Sequence, residues 1–270
     1  MSKLIEDVTL GCDPELFLRK GDEIISAEGL IGGSKHDPKL ISDEGHAIQE
    51  DNVMMEFNIP PSDNPVAFKN NINFVLEYLT VLAKQFDSSL DISASNILDD
   101  KYLNTKQARL FGCDPDYNVY LKEVNDAPSS KTNLRTAGGH IHVGYKNPDI
   151  YISEKIIYAM DITLGLESIT LDKDDRRREM YGKAGCFREK EYGVEYRTLS
   201  NFWIQNDELI DWAYTKTMEA IDLVNNGLID IILSKFETQI KDCIDNNNKE
   251  QSVLLLKEIN KIKEQSLIIK

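Results

Sequence analysis

The chain has 270 residues, 41% of them hydrophobic and 29% charged. At this length roughly 75% of the surface exposed by the unfolded chain can be buried, so a real core is available and disorder is not the expectation. The 46 acidic residues against 31 basic ones give a formal charge of −15, which argues against general binding to nucleic acid or an anionic membrane, because both need a basic face. A small basic pocket for a phosphorylated ligand stays compatible with that balance. No run approaches the ~20 apolar residues of a bilayer span, and the opening Met-Ser-Lys-Leu-Ile-Glu-Asp lacks an apolar signal core. Cys12, Cys113, Cys186 and Cys243 form no CxxC pair and are too few for a disulfide framework. A soluble, cytoplasmic location is the expectation.

In chain order, the first third reads as strands. Asp7 to Arg19 and Glu23 to Ile31 flank the turn signal Lys20-Gly21-Asp22, and Glu50 to Ile59 forms a third run ended by Pro60-Pro61. The period then changes: Phe68, Ile72, Val75, Leu79, Leu82 and Phe86 lie on one helical face, with Asn64 as N-cap and Pro65 at the first helical position. Strands return over 90–94, 111–121 and 136–145, with a polar loop at 125–133 between the last two. Ile156, Met160, Leu164 and Ser168 predict a helix over 153–171. A charged, glycine-containing loop at 172–192 precedes a strand over 193–199. After Trp203 the spacing is helical to the end, with a stop at Gly227 and a break at Asn246 to Asn248. Strands and helices do not alternate one by one, so the expected class is α+β, a mostly antiparallel sheet with helices on one side. No linker cleanly divides the chain, so 204–270 reads as C-terminal helices packed on the same domain as 1–203, the part in which the resemblance drawn below places the catalytic core.

Two of the four histidines sit in Gly138-Gly139-His140-Ile141-His142-Val143-Gly144. Residues two apart in a strand share a face, so His140 and His142 point together, either as functional groups or as part of a polar sheet face. By the same parity Asp13 pairs with Glu15, Glu56 with Asn58, and Glu195 with Arg197. Charges aimed at a sheet core are costly unless paired or metal-bound. Surface pairing would explain Glu195 and Arg197, and an outer-face position would explain Glu56. Taken together with the histidines, these residues suggest several strands delivering acceptors to one place. Carboxylate oxygens suit Mg²⁺ or Mn²⁺ better than zinc. The phosphate loops GxxxxGK[ST] and GxGxxG are absent, as is a nucleophile elbow. From Arg176 to Lys190 six basic residues accompany two acidic ones. Arginine forks such as these bind phosphate or carboxylate, although a solvated loop or a nucleic-acid contact also fits. Gly11-Cys12-Asp13-Pro14-Glu15 is echoed by Gly112-Cys113-Asp114-Pro115-Asp116, without an extended repeat around it.

In this order, the motifs Gly-Cys-Asp-Pro-Glu-Leu-Phe (11–17), Met-Glu-Phe-Asn-Ile-Pro-Pro (55–61), Gly-Cys-Asp-Pro-Asp-Tyr-Asn (112–118), Ala-Gly-Gly-His-Ile-His-Val-Gly (137–144) and Val-Glu-Tyr-Arg-Thr-Leu (194–199) resemble the phage COOH–NH2 ligase family (type 2). That family is related to glutamate–cysteine ligase and the glutamine synthetase-like carboxylate–amine ligases. The resemblance covers about residues 8 to 203. It implies a curved antiparallel sheet with the site on its concave face, and ATP with two or more Mg²⁺ or Mn²⁺ ions. The implied reaction phosphorylates a carboxylate, and an amine then displaces the phosphate. By motif position Glu15, Glu56 and Glu195 are the implied metal ligands, with His140 as a further one. His140, His142 and Lys183 are implied nucleotide contacts, and Arg197, Arg188 and Arg178 implied stabilisers of the transferred phosphate. Relatives often carry Glu-x-Glu where this chain has Asp13-Pro14-Glu15, which puts a metal role for Asp13 in doubt. The resemblance leaves the acid and the amine unnamed; free amino acids, peptides, protein side chains and polyamines all remain open, as does oligomerisation. A guanidino phosphotransferase of the same fold and a non-catalytic metal- or nucleotide-binding phage protein are the competing readings.

Overall fold

A computed structural model describes residues 3–109, 116–125 and 132–268. The expected strand over 7–19 divides into β1 (Thr9–Cys12) and β2 (Glu15–Lys20). Pro14 between them has no N–H to give a ladder and holds a fixed φ, and the two strands enter different sheets. β3 (Glu23–Ile25) and β4 (Lys39–Leu40) are short. β5 (Ala47–Asp51) and β6 (Met54–Asn58) make a hairpin where a single run over 50–59 was expected. Its two-residue turn uses Asn52, at φ 55, a left-handed conformation that Asn tolerates better than most residues.

Helix α1 (Pro65–Lys84) is as the spacing predicts. Asn64 Oδ1 accepts from the Ala67 N–H at 2.9 Å, and Phe68, Ile72, Val75 and Leu79 are buried. Beyond it come β7 (Ser89–Asp91), β8 (Ser95–Ile97), a 3₁₀ turn at Asp100–Tyr102 and the short α2 (Lys106–Arg109). Of the run expected at 111–121, residues 111–115 lie outside the described residues; β9 is Tyr117–Asn118 and β10 Glu123–Val124. Much of the expected 125–133 loop also lies outside. The expected strand over 136–145 is two strands, β11 (Leu134–Thr136) and β12 (Ile141–Gly144).

The helical run over 153–171 is α3 (Ile150–Met160) and α4 (Leu166–Leu171), joined through a π turn at Asp161–Gly165. The loop expected over 172–192 is only partly a loop. Arg176–Glu179 is a 3₁₀ turn, and Cys186–Lys190 is β13, which pairs with β14 (Gly193–Tyr196). Cys186 and Phe187 are buried and anchor that strand despite its charges. The C-terminal part is α5 (Asp207–Asn225), α6 (Leu228–Asp245) and α7 (Lys249–Ile268). Gly227 adopts φ 70 between the first two of these.

One sheet has the order β1-β12-β14-β13-β9-β10, the other β3-β2-β6-β5-β4 with β7 also on β2; β11 and β8 form a separate pair. Every pairing among the described residues is antiparallel. The result is a mixed α+β architecture. The main apolar cluster runs from Ile5 to Ile259 and includes Trp203, Ile221, Ile240 and Leu255, so the C-terminal helices share the core of the sheets. Among the described residues no helix is long and apolar enough to cross a membrane.

The two large sheets meet along Asp13. The Asp13 N–H donates to the His140 carbonyl at 3.4 Å, and the Glu15 N–H to the Gly138 carbonyl at 2.9 Å. Residues 138–140 therefore lie beside the kink at Pro14. The tight packing there explains the paired glycines. A Cβ on Gly138 would run into the His140 imidazole, and one on Gly139 would collide with the Ser200 carbonyl and lie 2.6 Å from Trp203 Nε1.

Candidate functional site

Between the two sheets lies a cavity of about 640 Å³ lined by residues of both, a volume typical of small-molecule sites. Its first wall comes from β2, β6 and β5. The register sets Glu15 directly opposite Glu56, and Glu56 opposite Gln49. Gln49 and Asp51 share a strand face, so Asp51 joins them at the end of β5. Oxygens of Glu15, Asp51 and Glu56 all lie within 4.8 Å of one another. Glu15 Oε2 accepts from the Gly138 N–H at 2.6 Å. Burial, and then the Asp51 charge, push the Glu15 carboxyl up to about 8. Burial followed by Asp13, Asp51 and Glu15 drives Glu56 well above the usual range, and burial also raises Asp51. The nearby charges of Lys35, Arg177 and Arg197 act in the opposite direction without offsetting these shifts.

The second wall is built from β1, β12, β14 and β13. One row across it reads Gly11, His142, Glu195, Arg188. Glu195 is fully buried, yet it is surrounded by cations: Arg197 Nη1 donates to its Oε1, Lys190 Nζ lies 2.7 Å from Oε2, and Arg188 Nη1 lies 3.6 Å from Oε2. Arg197 is clamped on its other edge by Asp116, which accepts from Nε. Burial and the Asp13 charge oppose ionisation of Glu195, but Arg197, His140 and His142 hold its carboxyl down at about 2. Asp13 sits at the junction, 3.1 Å from His140 Nδ1 and 3.2 Å from His142 Nε2. Burial opposes its ionisation, but the two imidazoles hold its carboxyl well below the usual range. Oxygen and nitrogen atoms of Asp13, His140 and Glu195 form a second possible ligand group, but one whose charge is already balanced.

The structure thus gathers Glu15, Glu56, His140, His142, Arg188 and Arg197 around one cavity, with Glu195 directly beneath. It does not bring Arg178 or Lys183 there. Arg178 is buried among the helices, where it donates to the Gly182 carbonyl at 3.1 Å and the Ser168 hydroxyl at 2.7 Å. Lys183 donates to the Asp245 carbonyl at 3.1 Å. The left-handed turn at Gly182 (φ 71) carries the chain away from the cavity before β13 returns to it. Asp116 holds Arg197 through its Nε.

Asp51, Gln49, Lys190 and Tyr192 also line the cavity and were not singled out in the sequence. β5 starts at Ala47 and ends at Asp51 instead of running on from residue 50, and on that strand the alternation of Gln49 and Asp51 marks both as facing the site. The surrounding donors fit a divalent ion unequally. Three neighbouring carboxylates with raised proton affinity suit a hard cation. In the second group an ion would compete with Arg197 and Lys190 for Glu195.

Residues 125–224 match the model of the phage phiEco32-like COOH.NH2 ligase-type 2 family, the family that the motifs resemble. That stretch carries His140, His142, Arg188, Glu195 and Arg197, the second wall. The first wall, Glu15, Asp51 and Glu56, lies upstream of it. No curated protein matches the chain.

Proposed function

We infer that the protein is an ATP- and Mg²⁺-dependent carboxylate–amine ligase that forms an amide through an acyl phosphate. The observation that supports this reading best is the facing of two unlike walls across one cavity: a carboxylate wall short of positive charge, and a wall with arginines held at its floor. Glu15, Asp51 and Glu56 would hold Mg²⁺ (or Mn²⁺), with His140, Asp13 and Glu195 as a second group once Lys190 moves aside. Bound there, the metal would neutralise charge on the nucleotide phosphates. In the first step a substrate carboxylate oxygen attacks the γ-phosphorus, the P–O bond to ADP breaks, and ADP leaves. In the second, an amine nitrogen attacks the acyl carbon, the C–O bond breaks, inorganic phosphate leaves and the amine loses a proton. Arg197, fixed between Asp116 and Glu195, offers preorganised positive charge to the transferring phosphoryl group, as does Arg188 beside it. Positioning and electrostatics of this kind supply most of the catalysis in phosphoryl transfer. The substrates are small-molecule or peptide acids and amines.

The test is incubation of the protein with ATP, Mg²⁺ and a pool of amino acids, short peptides and polyamines. ADP is quantified, and masses smaller by one water than the sum of two inputs are sought. ADP release that requires an acid and an amine together, with such a mass, is the expected result. ADP accompanied by a phosphorylated guanidine and no condensed product would replace the ligase by a phosphotransferase.

A further inference from the structure

One aromatic ring at the cavity has no part in the chemistry above. Tyr192 lies in the turn of the β13–β14 hairpin and lines the cavity. Three contacts fix it. Its hydroxyl lies 2.7 Å from His142 Nδ1. Its ring stacks on the His142 imidazole at 6.0 Å between centroids and 21° between planes. Its carbonyl accepts from the Tyr145 N–H at 3.0 Å. Despite this support the residue is 46% exposed, with its ring resting on the histidine. The neighbouring floor is formed by Gly11 and Gly144, with the Thr9 side chain packed over Gly144. Gly144 tolerates no Cβ, which would come within 2.7 Å of Thr9 Oγ1.

The cations of the second wall lead away from this ring. Lys190 and Arg188 alternate along β13 on the cavity side, about 7 Å apart at the usual strand rise, a spacing a polyphosphate can follow. We propose that Tyr192 is a stacking platform for the base of a purine nucleotide, whose phosphates run along Lys190 and Arg188 toward the carboxylate wall. This rests on the nucleotide-dependent reading above and adds to it the end of the cavity at which the base sits. Stacking suits the site because every base offers a π-face and a preorganised ring gives up little conformational freedom on binding.

The experiment is calorimetric titration of the full chain, as wild type, Tyr192→Leu and Tyr192→Phe, with two probes in Mg²⁺. One probe is the non-hydrolysable ATP analogue AMP-PNP; the other is inorganic tripolyphosphate, which has the charge but no base. Tyr192→Leu is expected to weaken AMP-PNP binding by roughly tenfold or more, within the range of base–aromatic stacking, and to leave tripolyphosphate binding within about twofold. Tyr192→Phe, which keeps the ring and loses the hydroxyl, is expected to keep most of the AMP-PNP affinity. Wild-type affinity of Tyr192→Leu for AMP-PNP would overturn the platform and leave the ligase reading intact. An equal loss for both probes would also overturn it, and would mean that Tyr192 acts through His142 and Asp13. If the wild type bound neither probe, the nucleotide-dependent reading itself would fall, and the platform with it.

Discussion

The two walls of the cavity are made of the same material, antiparallel strands carrying buried carboxylates, and differ in what stands opposite each carboxylate. On β2, β6 and β5, Glu15 faces Glu56. On β14 and β13, Glu195 faces Arg188 and is held by Arg197 and Lys190. Like charges directly across a ladder destabilise a sheet, and opposite ones support it. On the first wall burial and mutual repulsion outweigh the nearby charges of Lys35, Arg177 and Arg197, so the carboxyls favour a proton or an added cation, whereas Glu195 on the second is held ionised by cations of the chain itself. Charge balance, more than residue type, tells a ligand-seeking carboxylate from a structural one. It also shows why the residues read together as metal ligands are not equivalent, Glu56 being the clearest and Glu195 the most contested.

The largest expected effect breaks the satisfied wall. Arg197→Ala leaves Glu195 and Asp116 buried without their main partner, a loss of about 3–5 kcal/mol, read as a lowered urea midpoint at unchanged slope. A second test uses pH. Glu15 has a folded value of about 8 against an ordinary 4.5, and Asp51 and Glu56 are raised as well. The unfolded chain ionises these groups first. Their protonation thus supports the fold fully below about pH 4.5, and that support is lost as pH rises to about 8. The metal-free melting temperature should fall over this window by roughly 5–10 °C. Mn²⁺ at a hundred times its Kd should return about 2.7 kcal/mol at the upper end. A flat melting profile in metal-free buffer would contradict the unbalanced wall.

Smaller effects sharpen the contrast. Arg178→Lys, away from the cavity, should cost about 1–2 kcal/mol through its contacts with Gly182 and Ser168 and leave Mn²⁺ affinity unchanged; altered Mn²⁺ affinity would place Arg178 back in the site. Glu56→Gln should act in the opposite direction to Arg197→Ala. Above about pH 8, where Glu15 is ionised, removing the facing carboxyl should raise metal-free stability by up to about 1 kcal/mol, seen as a melting temperature a few degrees higher.

Much of the site was legible because strand parity is simple. Period two put His140 beside His142 and isolated Glu56 between Met55 and Phe57, which are both buried. The face of α1 was legible from its spacing, and its start from Asn64 and Pro65. What was not legible depended on register and on turns. The pairing of Glu15 with Glu56 brings together residues 41 apart in sequence, and nothing local encodes it. The Asn52 turn hid the beginning of β5 and with it Asp51. In the basic segment, composition could not separate Arg188 from Arg178 and Lys183. That separation follows from β13, where Phe187 anchors one face and Arg188 takes the other, while the 3₁₀ turn and Gly182 send Arg178 and Lys183 toward the helices. The echo of the Asp-Pro motif has two different outcomes: Asp13 sits at the meeting of the sheets, Asp116 on Arg197, and residues 112–115 lie outside those described.

The central proposal is that Glu15, Asp51 and Glu56 form a cation site whose negative charge the nearby Lys35, Arg177 and Arg197 do not offset. The most direct measurement is a Mn²⁺ titration followed by electron paramagnetic resonance, on the wild type and on Glu56→Gln, with folding checked by circular dichroism. The account expects the wild type to bind Mn²⁺ and the folded variant to lose at least tenfold in affinity. Binding by the variant equal to that of the wild type, or no binding by the wild type at all, would contradict it.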